Sequence, residues 1–312
     1  MSTIVVALGG NALTQPGQSG AVEELVENAS QMAAAVGEVA AAGHRVVVTH
    51  GNGPQIGNLA IQQLIAAAKV PPLPLHLLGA MTQGYMGSLI VRALWHELPD
   101  RRDQLAAIVT HAIVDPDLEG FSRPTKPIGP FLSADDVRKA EARGWTVAHD
   151  AGRGVRRVVP SPVPCTVVEA AAIKALVDAN FLVVAGGGGG IPTARQDGDL
   201  VGVDAVIDKD RLAAQIARSV KADGLVLVTG VDRVFIGFGT PLERPLERTT
   251  TSEAADYLRG GEFPAGSMGP KIEAAIDFVD GGGAYAIITS TEQLAAAVRG
   301  EGGTRVVRMA DE

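Results

Sequence analysis

Three times in this chain an apolar run stops dead in a turn of glycine, twice with asparagine. Residues 3–11 read Thr-Ile-Val-Val-Ala-Leu-Gly-Gly-Asn, and residues 45–53 read Arg-Val-Val-Val-Thr-His-Gly-Asn-Gly. Residues 181–192 read Phe-Leu-Val-Val-Ala, then five glycines, then Ile-Pro. A short run of branched aliphatic residues bounded by glycine predicts a strand buried on both faces, the habit of parallel sheets covered by helices. Turns at the carboxyl ends of such strands are where open α/β sheets bind ligands. Glycine there removes the Cβ that would keep a ligand away and bares successive N–H groups. Three such turns in one chain point to a site for something rich in anionic oxygens.

The rest of the chain supplies the helices. Strand 4–8 leads to a helical pattern over 21–42, strand 45–49 to one over 54–68 with Pro54 in its first turn, and a further helix covers 81–97. Strands are expected at 106–110, 181–185, 225–229 and 284–289, the last of the series. Helices are expected at 205–219, 252–259, 270–279 and 291–298. This alternation predicts an α/β fold. Residues 113–165 break the rhythm. They are dense in proline and glycine, carry Arg153, Arg156 and Arg157, and hold short β-like stretches at 146–148 and 157–159. A structureless loop of that length is implausible in a compact domain, so this is read as a small β-rich subdomain inserted into a single domain of 312 residues.

Composition narrows the function. Net charge is −8 and the pI about 5.3, which argues against nucleic-acid or membrane-surface binding, since both need a basic face. No signal peptide or membrane span is visible, so a cytoplasmic location is expected. The single Cys165 excludes an internal disulfide and a cysteine-based zinc site, and reads as an inert, half-buried thiol.

The lysines are the sharper signal. There are only seven among 27 basic residues. Lys69, Lys139, Lys174 and Lys221 fall in or beside helical stretches and read as solvated charges. Lys126 (Arg-Pro-Thr-Lys-Pro-Ile-Gly-Pro), Lys209 (Val-Ile-Asp-Lys-Asp) and Lys271 (Gly-Ser-Met-Gly-Pro-Lys) sit in turn-like settings. Compact ammonium groups there suit a phosphoryl group in flight, although chance surface placement accounts for any one of them. Lys271 comes just after Pro270, read as the first residue of a helix, where a cation and a helix N-terminus together bind a terminal phosphate; an ordinary helix start is the bland alternative. Asp208 and Asp210 are either plain helix-capping acids or, for Asp210, a carboxylate holding lysines in register. His50 ends a buried strand beside glycine, which fits a structural role better than a general base. No P-loop occurs, and the glycines at 186–190 run into Ile191-Pro192 and a polar stretch where a dinucleotide fingerprint needs a helix. A lone aspartate is a poor magnesium cage, so no metal site is assigned to the chain itself.

Taken in order, Ala7-Leu8-Gly9-Gly10-Asn11-Ala12-Leu13, His50-Gly51-Asn52-Gly53-Pro54-Gln55, Pro124-Thr125-Lys126-Pro127-Ile128-Gly129-Pro130-Phe131, Asp150-Ala151-Gly152-Arg153-Gly154, Arg156-Arg157-Val158-Val159-Pro160-Ser161-Pro162, and the segments 185–192, 206–210 and 266–271 resemble the carbamate kinase family of the amino acid kinase superfamily. The likeness spans essentially the whole chain. It implies a three-layer αβα sandwich around a mainly parallel central sheet, with a protruding subdomain, and a homodimer. It implies reversible phosphoryl transfer between ATP and carbamate, giving ADP and carbamoyl phosphate, with Mg2+ accompanying the nucleotide and the ATP-forming direction favoured. Carried over, Gly9, Gly10 and Asn11 cradle the transferred group, with Gly51, Asn52 and Gly53 facing them. Lys209 and Lys271 stabilise phosphates, Asp210 organises the lysines, and Lys126 closes over the site. Gly187, Gly188, Val231 and Gly269 join Lys209 and Lys271 on the nucleotide side. Gly230, Phe235 and Gly237 depart from the family pattern at the adenine side. A related kinase with another small acid or phosphate acceptor, or a nucleotide-binding paralogue without turnover, are the rival readings.

Overall fold

The computed structural model describes residues 1–9, 13–15, 17–115, 121, 124–149, 154–263 and 268–309. Its elements, in chain order, begin with β1 (Thr3–Leu8), α1 (Val22–Ala41), β2 (Arg45–His50), α2 (Gly53–Ala66), α3 (Leu75–Glu97), β3 (Leu105–Ala107) and β4 (His111–Val114). Then come β5 (Lys126–Leu132), α4 (Ala134–Glu141), β6 (Val147–His149), β7 (Val155–Val159), β8 (Pro164–Val167), α5 (Ala170–Asp178) and β9 (Leu182–Val184). The hairpin β10 (Ile191–Gln196) and β11 (Asp199–Gly202) precedes α6 (Lys209–Val220), β12 (Gly224–Val228), β13 (Val234–Ile236) and β14 (Arg244–Leu246). The chain closes with β15 (Arg248–Thr250), α7 (Thr251–Arg259), α8 (Gly269–Asp280), β16 (Tyr285–Thr289), α9 (Leu294–Arg299) and β17 (Thr304–Val307).

Eight strands form the central sheet in the order β15-β17-β16-β12-β1-β2-β9-β3. All its pairings are parallel except β16 with β17. The twofold alternation of side chains splits each apolar run between two cores. Ile4, Val6 and Leu8 of β1 join Val46 and Val48 of β2 under α1, α3 and α9, while Val5, Ala7 and Val47 pack beneath α5, α6 and α8. This double burial is why β1 carries no polar residue beyond Thr3, and each such aliphatic side chain contributes roughly 1.5–3 kcal/mol. The two helical layers and the sheet make the αβα sandwich.

Two differences from the sequence reading have clear causes. Residues 284–289 are not the last strand: β17 follows, antiparallel to β16 and parallel to β15, and is too short to stand out by composition. Cys165 is exposed rather than half-buried, because the β4–β8 ladder shifts register there: Thr166 pairs with Ile113 and Pro164 with Val114, and residue 165 is the extra one.

A second sheet, β11-β10-β4-β8, lies beyond the main one, and between its neighbouring strands β4 and β8 the chain makes a third sheet, β5-β7-β6. Its strands are interrupted by α4, whose start is set by Ser133 accepting the Asp136 amide and whose charges suit the helix dipole, acids first and Arg138 and Lys139 last. A separate small core ties this sheet to the body: Ile128 and Val159 pack with Ile56 and Ala60 of α2, Leu75 and Leu78 of α3, and Val206. Among the described residues, no helix is long and apolar enough to cross a membrane.

Candidate active site

The carboxyl ends of β1, β2, β9 and β12 meet along one edge of the sheet, and helix starts converge on it. Gly9 follows β1, and a Cβ there would approach the Val228 carbonyl oxygen at the end of β12 to 3.2 Å. Gly51 donates its amide to the Leu8 carbonyl, so the second glycine turn is bonded to the end of the first strand. Asn52 is the N-cap residue of α2; its side-chain amide donates to Thr82 Oγ1 at 2.9 Å, which fixes its orientation, and Gly53 opens the helix. Gly10 and Asn11 lie outside the described residues.

The five-glycine run is wholly buried and turns tightly, with Gly186, Gly188, Gly189 and Gly190 all at positive φ. Its glycines are also demanded by neighbours. A Cβ on Gly187 would fall 2.3 Å from His50 Nε2, and one on Gly188 would fall 2.1 Å from Asn52 Nδ2. Gly187 and Gly188 therefore lie directly behind the second glycine turn and hold it forward. His50 is fully buried, its Nδ1 donating to the Gly51 carbonyl, and burial pushes its pKa down to about 4. At neutral pH it is an uncharged structural imidazole.

Charge enters through the first turn of α6. Asp208 caps that helix by accepting the Asp210 amide at 2.9 Å, and its other oxygen accepts from Lys126 Nζ at 2.5 Å. Asp210 accepts from Lys209 Nζ at 2.6 Å on one oxygen and from Lys271 Nζ at 2.9 Å on the other. Lys271 stands in the first turn of α8, two residues after Gly269, with Pro270 between them. Three lysines and two aspartates drawn from three distant segments thus form one continuous array. Val231 sits on the loop leaving β12, half-buried, at the same edge.

The titration of this array follows from burial set against charge. Burial alone would raise Asp208 and Asp210, but Lys126 and Lys209 on one, and Lys209 and Lys271 on the other, hold both carboxyls below their ordinary values. Lys209 goes the other way: burial, with repulsion from Lys271, outweighs Asp210 and lowers it to about 8. Lys271 is also buried, yet Asp210 keeps it above the ordinary lysine value. At neutral pH the array holds its positive charge as a net surplus of one, without any nucleophile–base pair.

Asp208 does more than the helix cap that the sequence predicts. It read as a helix cap, and it is one, but its second oxygen anchors Lys126 from more than eighty residues upstream. The signal was present in the Asp-Lys-Asp triplet: two acids flanking a buried lysine are one more than a cap needs.

A parallel sheet with glycine turns and lysines at one edge is the arrangement of a phosphoryl-transfer protein, and the chain belongs to the amino acid kinase family, whose model matches residues 2–290. Relatives narrow this further. The chain is 45% identical to carbamate kinase of Thermococcus kodakarensis, over 99% of this chain and 100% of that one. It is 45% identical to carbamate kinase 2 of Enterococcus faecalis, over 94% and 95% of the two chains. A solved carbamate kinase from Giardia lamblia bound to AMP-PNP superposes with a TM-score of 0.90 at 40% identity, covering 98% of each chain. Within its superfamily, this chain is a member of the carbamate kinase family.

Proposed function

We propose that this protein catalyses reversible phosphoryl transfer between ATP and carbamate, giving ADP and carbamoyl phosphate, and that it runs in the ATP-forming direction. The observation that carries the reading is the Lys126–Asp208 and Lys209–Asp210–Lys271 array set against the glycine turns of β1 and β2. A loose phosphoryl-transfer transition state spreads charge over its equatorial oxygens and asks for positioning and fixed positive charge rather than covalent chemistry. Carbamate brings its own nucleophilic oxygen, so no general base is needed.

In this reading Gly9, with Gly10 and Asn11, cradles the transferred group, and Gly51, Asn52 and Gly53 line the carbamate side. Lys209 and Lys271 bind nucleotide phosphates and follow the phosphoryl group across, with Asp210 spacing them. Val231 and Gly269 line the nucleotide side; Gly187 and Gly188 support it from behind. Lys126 reaches in from residues 113–165, which act as an inserted subdomain of a single catalytic domain. The oxygens of Asp208 and Asp210 are committed to lysines and a helix cap, so this donor set does not fit a resident magnesium ion. Mg2+ instead comes in as the nucleotide complex, held by phosphates. The functional unit is a cytoplasmic homodimer, as for the family.

Purified protein given ADP, Mg2+ and carbamoyl phosphate should form ATP in a coupled assay. Folded protein that binds ADP but forms no ATP overturns the reading. An acceptor screen then separates a kinase of another small acid from a paralogue without turnover.

A further inference from the structure

Lys126 is carried on a strand that meets α2 in a direct backbone contact. Gly57 lies on α2, one turn past the Asn52 cap, and Gly129 lies on β5, three residues past Lys126. Both are buried. A Cβ on Gly57 would stand 1.8 Å from Gly129 Cα and 2.2 Å from its amide nitrogen. No side-chain rotation relieves such an overlap, because both partners are main chain.

The strand is shaped to make this approach. Its register against β7 shifts between Ile128 and Leu132, and Gly129 takes a φ of +72°. Bulges of this kind bend a strand and re-aim its side chains next to active sites. Arg156 on β7 donates from Nε to the Gly129 carbonyl at 2.8 Å and so fixes the bulge from behind. Around the contact, Ile128, Val159, Ile56 and Val206 close the small core, and the Val206 amide donates to the Pro160 carbonyl. Val206 is two residues before Asp208, and Ile56 is four after Asn52. The same dock therefore touches the segments that carry both sides of the site.

We infer that Gly57 and the Arg156-clamped bulge at Gly129 are positioning residues: they set the depth to which Lys126 enters the site, through direct backbone contact between α2 and β5. This rests on the reading of Lys126 given above.

The test is a double-mutant cycle on the full-length protein, with Gly57→Ala, Lys126→Ala and both together. Alanine is the better helix former, so the change does not weaken α2 itself. Gly57→Ala should lower kcat for ATP formation at least tenfold, leave ADP affinity by calorimetry within twofold, and cost less than twofold more once Lys126 is already alanine. Equal cost in both backgrounds, or a kcat within threefold of wild type, overturns the inference. Hydrogen exchange gives a readout independent of turnover: amides of β5 should exchange faster in Gly57→Ala while those of β1 do not. If β1 also opens, Arg156→Gln replaces Gly57→Ala with the same two outcomes. Wild-type protein without activity overturns the reading of function instead, and the docking claim then stands or falls on β5 exchange, where an unchanged rate overturns it.

Discussion

The first residues of α6 support two ion-pair assemblies that differ in almost everything but their origin. Asp210 with Lys209 and Lys271 is shut inside the main body, with side-chain exposures of 3%, 9% and 11%. Asp208 with Lys126 spans from the body to the third sheet, at 12% and 30%. One assembly is built in by the packing of α6 on α8; the other is completed by a strand docked on α2. A buried charge network fixes geometry at a high desolvation cost, whereas a pair with one partly exposed member costs less to form and less to release. On the proposed function, the contrast divides the site into a permanent nucleotide side and a delivered cation.

The strongest way to break that division is Asp210→Asn. It leaves two buried ammonium groups facing one another without their shared carboxylate. Removing one partner from a buried network is expected to cost about 3–5 kcal/mol in urea unfolding. Turnover should fall beyond the loss expected for any single lysine. A variant of wild-type stability would mean the lysines are far better solvated than their burial indicates.

Lys271→Ala comes next. It removes one fixed charge from the transferring group and should lower kcat by about 10²–10³, the scale for losing one preorganised stabilising group. Asp210 keeps Lys209 as partner, so the stability loss should be clearly smaller than for Asp210→Asn. A kcat within threefold of wild type would remove Lys271 from the mechanism.

Lys126→Ala sharpens the contrast from the other side. Turnover should drop by about 10², and unfolding free energy should fall by about 1–3 kcal/mol, less than for Asp210→Asn, because Asp208 loses a partner while largely buried but keeps the Asp210 amide. ADP affinity should stay near wild type. A stability loss as large as that of Asp210→Asn would show that Lys126 is a structural strut rather than a delivered charge.

The same division explains what could be read from sequence. The strands of the central sheet announce themselves because burial on both faces forces unbroken aliphatic runs, as in residues 4–8. Lys209 and Lys271 stood out because they are rare residues in turn-like positions, and Asp210 because it sits beside one of them. The partnership of Lys126 with Asp208 was illegible, since the Asp-Lys-Asp triplet marks a spare acid but nothing local names its partner eighty positions away. The meeting of Gly57 and Gly129 was hidden for the same reason. Each reads as an ordinary glycine until the fold places one backbone against the other. Helix α4 was legible in principle, from Ser133 and the two acids after it, but the surrounding proline and glycine masked it.

The smallest expected effect is a pH limb belonging to the buried side alone. Lys209 is held near 8 by burial, with Asp210 opposing, against 10.5 in the unfolded chain. Between those values the unfolded chain keeps a proton that the folded one has released, so the contribution of Lys209 to stability rises with pH across this window and is lost as pH falls toward 8. Activity runs in the opposite sense, because the transferring group needs the ammonium form. The kcat/KM profile should therefore bend downward near pH 8, by a few-fold over one unit, while kcat bends later because bound phosphates favour the charged lysine. The carboxyls of Asp208 and Asp210 lie below this range and Lys271 lies above it, so within the buried assembly Lys209 is the member that titrates there. Lys209→Arg keeps its charge at every pH and should abolish the bend even if its geometry lowers the overall rate. A bend that survives in Lys209→Arg assigns the limb to another group and returns Lys209 to the ranks of permanently charged residues.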